Sequence, residues 1–266
     1  MSVWAAIALG VLQGLTEFLP VSSSGHLALA QHFLGIDSPG VTFEVLVHFG
    51  TALAVIFFFR KRISSIVAAV VGFALRRGHD RDEARLGLHL IVATVPAGLI
   101  GVLLGDRVEA AFGNPGLVSV FLLVTGVLLW ATRRLAPGER PRGGIRDAVL
   151  IGLAQAAAIL PGMSRSGWTV SAGLGLGLER RAAAEFAFLL SVPVILGATV
   201  VSLGEAFGSG SPPGAAAIAG TIAAFAAAIP AIRILMRVVT AGRFYRFAYY
   251  CWIAGAVGLV LTAVRG

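Results

Sequence analysis

The feature that most constrains this chain is a series of long apolar runs, at 45–59, 91–104, 117–130, 182–201, 215–236 and 247–264. With their flanks, most approach the roughly 17–25 residues a helix needs to cross a bilayer. Within hydrocarbon each backbone N–H and C=O must be paired inside the protein, so such runs fold as helices rather than open sheets. Composition agrees: 13% of the 266 residues are charged and 57% are hydrophobic, where a soluble domain carries about 25% charged residues. The expected class is an all-α polytopic membrane protein.

The charges are clustered between the runs. Arg60, Lys61, Arg62, Arg76, Arg77, Arg81 and Arg85 form one group, and Arg133, Arg134, Arg140, Arg142 and Arg146 a second. Arg180, Arg181, Arg237, Arg243 and Arg246 make two smaller groups. Short basic loops mark the cytoplasmic side. The net charge of +8 therefore reads as topology, and nucleic-acid binding is not expected. Cys251 is the sole cysteine in an apolar run, so no intrachain disulfide is expected and core packing accounts for it. The opening MSVWAAIALG has no basic region and no clear cleavage site, and reads as mature sequence.

With the basic loops inside, crossings at 42–59, 117–131 and 215–236 run inward and those at 87–104, 182–201 and 247–264 outward. The 60–86 segment is then an inner loop, the 202–214 segment an outer loop, and Asp106, Arg107 and Glu109 a loop of mixed charge. Two stretches remain, 2–35 and 147–178, each broken by proline, glycine and serine. Read as re-entrant hairpins, one opening outward and one inward, they leave all the basic loops on one side. Non-helical backbone at membrane depth is tolerated only when buried in protein or lining a wet cavity, so the two breaks should mark a site.

The breaks also resemble each other. LQGLTEFLPVSSSGH aligns with LAQAAAILPGMSRSGW, with Gln13 and Gln155 (155−13 = 142) and Gly25 and Gly167 (167−25 = 142) in register. Pro20 and Pro161 differ by 141, as do Glu44 and Glu185 at the start of the next helix in each half. The expected architecture is one integral membrane domain of six transmembrane helices plus two re-entrant hairpins, about ten helices in all. Its halves, about 1–146 and 147–266, each hold a hairpin and an odd number of crossings, which makes them inverted repeats. Paired broken segments in such repeats point to a site at the repeat interface.

Gln13 and Glu17 are four apart and share one helical face. A carboxylate inside a membrane helix costs about 2.5–3.5 kcal/mol, so it pairs, faces water or binds an ion. Glu17 is therefore a candidate base or metal ligand, and Gln13 a partner or a tie between helices. Ser22, Ser23 and Ser24 open the second hairpin helix, where hydroxyls cap and unpaired N–H groups receive anions. Ser23 can also serve as a nucleophile, with Glu17 or His26 as base; His26 itself could be acid, base or nucleophile. In the second break Arg165 is the natural phosphate clamp, because guanidinium forks match phosphate oxygens, or a salt-bridge partner of Glu17. Ser164, Ser166 and Thr169 add hydroxyls there. His32 and His48 read as packing or interface residues, His79 as part of the basic loop, and His89 as a helix start; Glu44 and Glu185 read as helix-start carboxylates that could support the site. A carboxylate, an imidazole, hydroxyls and an arginine converging in a membrane suit a phosphate or diphosphate whose remainder is lipid. No P-loop, zinc-protease or dinucleotide fingerprint occurs.

QGLTEFLPVSSSGH, FEVLVHFGT, LPGMSRSGWT and EFAFLLSVP together resemble the undecaprenyl-diphosphatase family associated with bacitracin resistance, over essentially the whole chain. The resemblance implies an integral enzyme of the bacterial inner membrane, its active site facing the periplasm or cell exterior. It would convert undecaprenyl diphosphate to undecaprenyl phosphate and phosphate, recycling the carrier lipid for peptidoglycan and other envelope polymers. A divalent cation, Mg²⁺ or Ca²⁺, is implied as well. By motif, the family's first glutamate pair falls on Gln13 and Glu17, its serine and histidine on Ser23 and His26, and its second-motif serine, arginine and threonine on Ser164, Arg165 and Thr169. With glutamine at position 13, Glu17 together with substrate oxygens and waters makes the expected cage. The type-2 phosphatidic acid phosphatases share Ser-Gly-His and Ser-Arg but need a later histidine, and this chain has none after His89. A transporter or flippase of polyprenyl phosphates is the rival class, since inverted repeats with broken helices are transporter architecture. A homodimer is left open.

Overall fold

The computed structural model describes residues 1–34, 41–78, 80–208 and 214–265. Of the segments read from sequence, residues 35–40, His79 and 209–213 of the outer loop lie outside the described residues. The regular structure among the described residues is helical: α1 (Val3–Phe18), α2 (Ser23–Leu34), α3 (Val41–Phe58), α4 (Arg60–Ala74), α5 (Arg81–Phe112) and α6 (Pro115–Ala131), then α7 (Ile145–Ala157), α8 (Arg165–Gly175), α9 (Arg180–Gly208), α10 (Ala215–Thr240) and α11 (Phe247–Arg265). Among the described residues five helices are long and apolar enough to cross a membrane, and a sixth span arises if the bent pair α3 and α4 counts as one. Apolar side chains on their outer faces, such as Val102, Val200, Ile253 and Val260, stand exposed. Contiguous exposed apolar surface of this extent belongs in lipid.

Two stretches read as loops are helical. Residues 60–74 form α4, which leaves α3 at an angle of 86°. Its Arg60, Lys61 and Arg62 belong to the first helical turn. Helix α5 likewise runs through the mixed-charge segment and ends at Phe112, with non-helical backbone at Leu104 where its direction changes. Its start is fixed by Asp80, whose carboxylate accepts from the backbone N–H groups of Asp82 and Glu83 at 2.9 and 3.2 Å, a cap on the orphan donors of a first turn.

Packing follows small residues. Any Cβ on Gly10 or Gly14 of α1 would run into the carbonyl oxygens of Gly220 and Ala224 of α10. Glycine here lets the two backbones touch, which is how membrane helices associate without a hydrophobic drive between them. Gly152 of α7 lies in the same way against Ala93 of α5. Between these layers Phe18, Val21, Val170, Phe188, Ile232 and Cys251 make one buried cluster, with the Phe18 and Phe188 ring centroids 5.3 Å apart. The cluster supports the ends of α1 and α8 and so fixes the two breaks against each other. Cys251 is buried there, as core packing requires.

Candidate active site

Helix α1 stops at Phe18 because Pro20 cannot continue it, and α2 starts at Ser23. Between them Ser22 takes a positive φ of 66°, a conformation costing a non-glycine residue about 1–3 kcal/mol. Two contacts hold it there. The Ser22 Oγ accepts from Gly25 N at 3.3 Å and from Gly162 N of the other break at 3.1 Å. The second break is built alike: Ser164 caps α8 by accepting from Gly167 N at 3.1 Å. There the positive φ, 96°, falls on Gly162, and its carbonyl accepts from Thr125 Oγ1 at 2.9 Å. The two breaks thus interlock.

Glu17 lies at the junction, 7% exposed. Its Oε2 accepts from Ser23 Oγ at 2.5 Å and from Gln13 Nε2 at 2.8 Å. Its Oε1 is paired with Arg165 Nη2, and His48 Nε2 stands 3.4 Å from Oε2. A buried carboxylate so engaged is a charge fully matched by donors, and removing one partner would leave it uncompensated. Beside it opens a cavity of about 360 Å³, within the range of ligand sites. Glu17, Ser23, Ser24, Glu44, His48, Ser164 and Arg165 supply its polar wall, and Val45, Phe112, Ile159, Val194 and Ile195 its apolar one.

The structure therefore brings Glu17, Ser22, Ser23, Ser24, Ser164 and Arg165 together on the cavity. Gln13 is wholly buried behind Glu17. Three other candidates point elsewhere. His26 Nδ1 meets Ser22 O and its Nε2 meets Tyr250 OH, each at 2.8 Å, so the imidazole joins α2 to α11. Ser166 Oγ lies 3.2 Å from Ser164 Oγ and 3.4 Å from Leu19 O. Thr169 Oγ1 donates to the Arg165 carbonyl at 2.8 Å and steadies the first turn of α8.

The imidazole of the site is His48, read from sequence as packing. Its Nδ1 lies 2.7 Å from Glu44 O; a carbonyl only accepts, so Nδ1 carries a proton, and Nε2, 3.4 Å from Glu17 Oε2, donates there when it carries one too. The i, i+4 pair Glu44 and His48 on one face of a membrane helix was the available signal. Glu44 lines the cavity. Glu185, its counterpart, does not: it pairs with Arg62 Nε at 3.1 Å at the other end of α9. Tyr250, the partner of His26, carried no local signal, being 224 residues away.

Does this donor set suit a divalent cation? Gln13 Oε1 is buried without a partner, on the amide whose nitrogen donates to the Glu17 carboxylate. Two hard oxygen donors, one anionic, fit Mg²⁺ or Ca²⁺ when substrate oxygens and waters complete the shell. Among the described residues no group of three or more His, Cys, Asp or Glu could hold the ion alone.

Comparison with known proteins places this geometry. Residues 6–257 match the family model described as Bacitracin resistance protein BacA. The chain belongs to this family. Among its relatives, a protein of Syntrophotalea carbinolica named undecaprenyl-diphosphatase is 45% identical over 99% of this chain and 100% of its own. Proteins of the same name from Desulforapulum autotrophicum and Desulfosudis oleivorans are 41% and 44% identical, covering 98% and 95% of this chain and 98% and 96% of theirs. The BacA match takes in both breaks, so the interlocked turns and the Glu17 cavity lie wholly inside it.

Proposed function

We propose that this multi-pass membrane protein hydrolyses undecaprenyl diphosphate to undecaprenyl phosphate and inorganic phosphate, returning the carrier lipid to peptidoglycan and envelope polymer synthesis. One observation carries the chemistry: Ser23 Oγ donates to Glu17 Oε2 at 2.5 Å, while Arg165 holds the other carboxylate oxygen on the same cavity. Nucleophile, base and phosphate-binding cation are then adjacent, and the apolar wall suits the isoprenoid.

In the reaction, Arg165 exchanges Glu17 for the oxygens of the terminal phosphoryl group, where its fork is worth most as charge spreads. Ser23 Oγ attacks that phosphorus in line, its proton passing to Glu17, and the bond to the bridging oxygen breaks, releasing undecaprenyl phosphate. Water then attacks the phosphoserine, giving inorganic phosphate and restoring the serine with the Glu17 proton as the balance. His48, on Oε2, fixes the rotamer from which Glu17 works. His26 is turned to Tyr250 and is not among the residues lining the cavity, and this favours Ser23 over His26 as nucleophile. A divalent cation, held by Glu17 and Gln13, would neutralise charge on the diphosphate oxygens.

We read the halves as inverted repeats: the caps Ser22 and Ser164 are 142 apart, as are the glycines they bind. The cavity touches α9 at Val194–Ala198 whereas Arg180 and Arg181 start that helix. With basic loops inside, the cavity belongs to the outer half of a bacterial inner membrane, facing the periplasm. Purified protein given a polyprenyl diphosphate and Mg²⁺ should release phosphate, and Arg165→Ala should not. Acid-quenched protein after a burst of labelled substrate should carry label on Ser23. Absence of release with either cation would sink the hydrolase reading.

A further inference from the structure

The basic-loop end of the molecule holds two adjoining cavities, of about 450 and 600 Å³, which share Arg62, Arg181 and Glu185. The first also takes in Arg85 and Arg142, and the second Arg60 and Lys61. Against these six cations stand three lining carboxylates, Asp82, Glu179 and Glu185, an excess of three positive charges; Glu83, behind Arg62, reduces it to two.

These arginines are not simply solvated loop charges. Arg62 is held by carboxylates from two other helices, Glu83 of α5 at 2.5 Å and Glu185 of α9 at 3.1 Å, and Glu83 is 4% exposed. Arg142 is paired with Asp82. Each pair spends a carboxylate on orienting one guanidinium, while Lys61 and Arg181, among the described residues, have no carboxylate partner. Phe58, Phe59, Phe186 and Leu189 supply an apolar wall.

The place in the fold is also telling. Glu185, Phe186 and Leu189 of α9 line the first of these cavities, and they are 141 residues after Glu44, Val45 and His48 of α3, which line the Glu17 cavity. The same three helical positions thus face a cavity in each half. From Glu185 to Ile195 is ten residues of one helix, about 15 Å at 1.5 Å per residue, so the two sites are separate and stand toward opposite ends of the molecule.

We propose that this second vestibule binds the phosphate group of a lipid in the leaflet on the basic-loop side. The unpaired Lys61 and Arg181 take the phosphate, with Arg62 pre-set by its two carboxylates, and the apolar wall takes the start of the acyl or prenyl chain. Basic pockets between transmembrane helices recognise lipid headgroups in this way. The volumes exceed what a bare phosphate fills, which favours a lipid over the free anion. This inference stands apart from hydrolysis at Glu17.

Native mass spectrometry of the full chain in neutral detergent, titrated with dioleoyl phosphatidic acid, tests it. The wild type should retain the lipid, and the double variant Lys61→Gln, Arg181→Gln should bind it about 20-fold more weakly, on the order of 1 kcal/mol per basic residue. Lys61→Arg with Arg181→Lys should retain it, showing that charge is what matters. Phosphate release from a polyprenyl diphosphate should be unchanged in the glutamine variant, which also certifies its fold. Equal retention by wild type and glutamine variant would overturn the proposal. So would equal retention of dioleoylglycerol, or displacement of the lipid by an equal concentration of inorganic phosphate. Because retention is read without turnover, it fails independently of the hydrolase reading.

Discussion

The two broken hairpins are built to one plan and carry different chemistry. In both, a serine caps the second helix through a glycine three residues on. In both, the next-but-one serine hydroxyl stands close by, at 3.4 Å in the first and 3.2 Å in the second. In both, a glutamine one helix earlier leaves its Oε1 buried without a partner. The difference is concentrated at two registers 142 residues apart. Ser23 in the first break corresponds to Arg165 in the second (165−23 = 142), and Glu17 corresponds to Ile159 (159−17 = 142). Both members of the first pair reach the same carboxylate. A symmetric frame thus places two side chains around one acid, and substitution at a single register makes one a nucleophile and the other a clamp.

Removing the asymmetric groups should have the largest effect. Arg165→Ala is expected to lower kcat by about 10³-fold or more, as for other cations that meet a transferring phosphoryl group, and Glu17→Ala by about 10²–10⁴-fold, through loss of the base; Arg165→Lys should recover only part, lacking the fork. Next, Ser23→Ala should fall by a comparable factor and lose the covalent label, whereas His26→Ala and Tyr250→Phe should stay within about tenfold of wild type, an effect of packing. Steady-state phosphate release across these six variants checks both, and a dead His26→Ala with an active Ser23→Ala would reverse the assignment. A smaller effect is expected at His48. His48→Ala should reduce kcat by about tenfold with little change in KM, on the order of one hydrogen bond to a charged group, and His48→Gln, which keeps a donor there, should restore most of it.

The mildest test compares the two glutamines. Gln13→Glu adds a carboxylate beside Glu17 and should lower the Mg²⁺ concentration for half-maximal activity, read from metal titration after chelator treatment. The matched change Gln155→Glu puts a carboxylate on the wall of the Glu17 cavity, at a side chain whose amide nitrogen now lies 3.4 Å from the carbonyl of Ala93. Setting an acceptor against that carbonyl should lower thermal stability, by about 1–3 kcal/mol, with a smaller shift in cation dependence than Gln13→Glu. Equal effects of the two substitutions on cation dependence would argue against a cation at Gln13.

Much of this was legible in the sequence because the bilayer makes charge expensive. Glu17 and Arg165 stood out against apolar neighbours, and the alternative reading of Arg165, a salt bridge to Glu17, is borne out by the ion pair. The long spans were legible for the same reason, and five of them stand as helices. What remained hidden was tertiary. His48 is a polar residue in an apolar run, and its i, i+4 spacing from Glu44 marks a polar face whose target appears only when α3 is laid beside α1. His26 had the better motif but is turned to Tyr250, on a helix that follows the positive φ at Ser22. Helix α4 was hidden by its own arginines, which read as a loop although they begin an amphipathic turn.

The ion pair at the site spans 148 residues of chain, and that has a consequence in time. Synthesis proceeds at about 5–20 residues per second, so Glu17 leaves the ribosome roughly 7–30 s before its cation exists. Throughout that interval the first half of the protein holds a carboxylate in or near the membrane with Gln13 and Ser23 of its own hairpin as the nearby donors. Those two contacts, local in sequence, keep the acid hydrogen-bonded while the second half is made, and catalysis begins only when the last partner arrives.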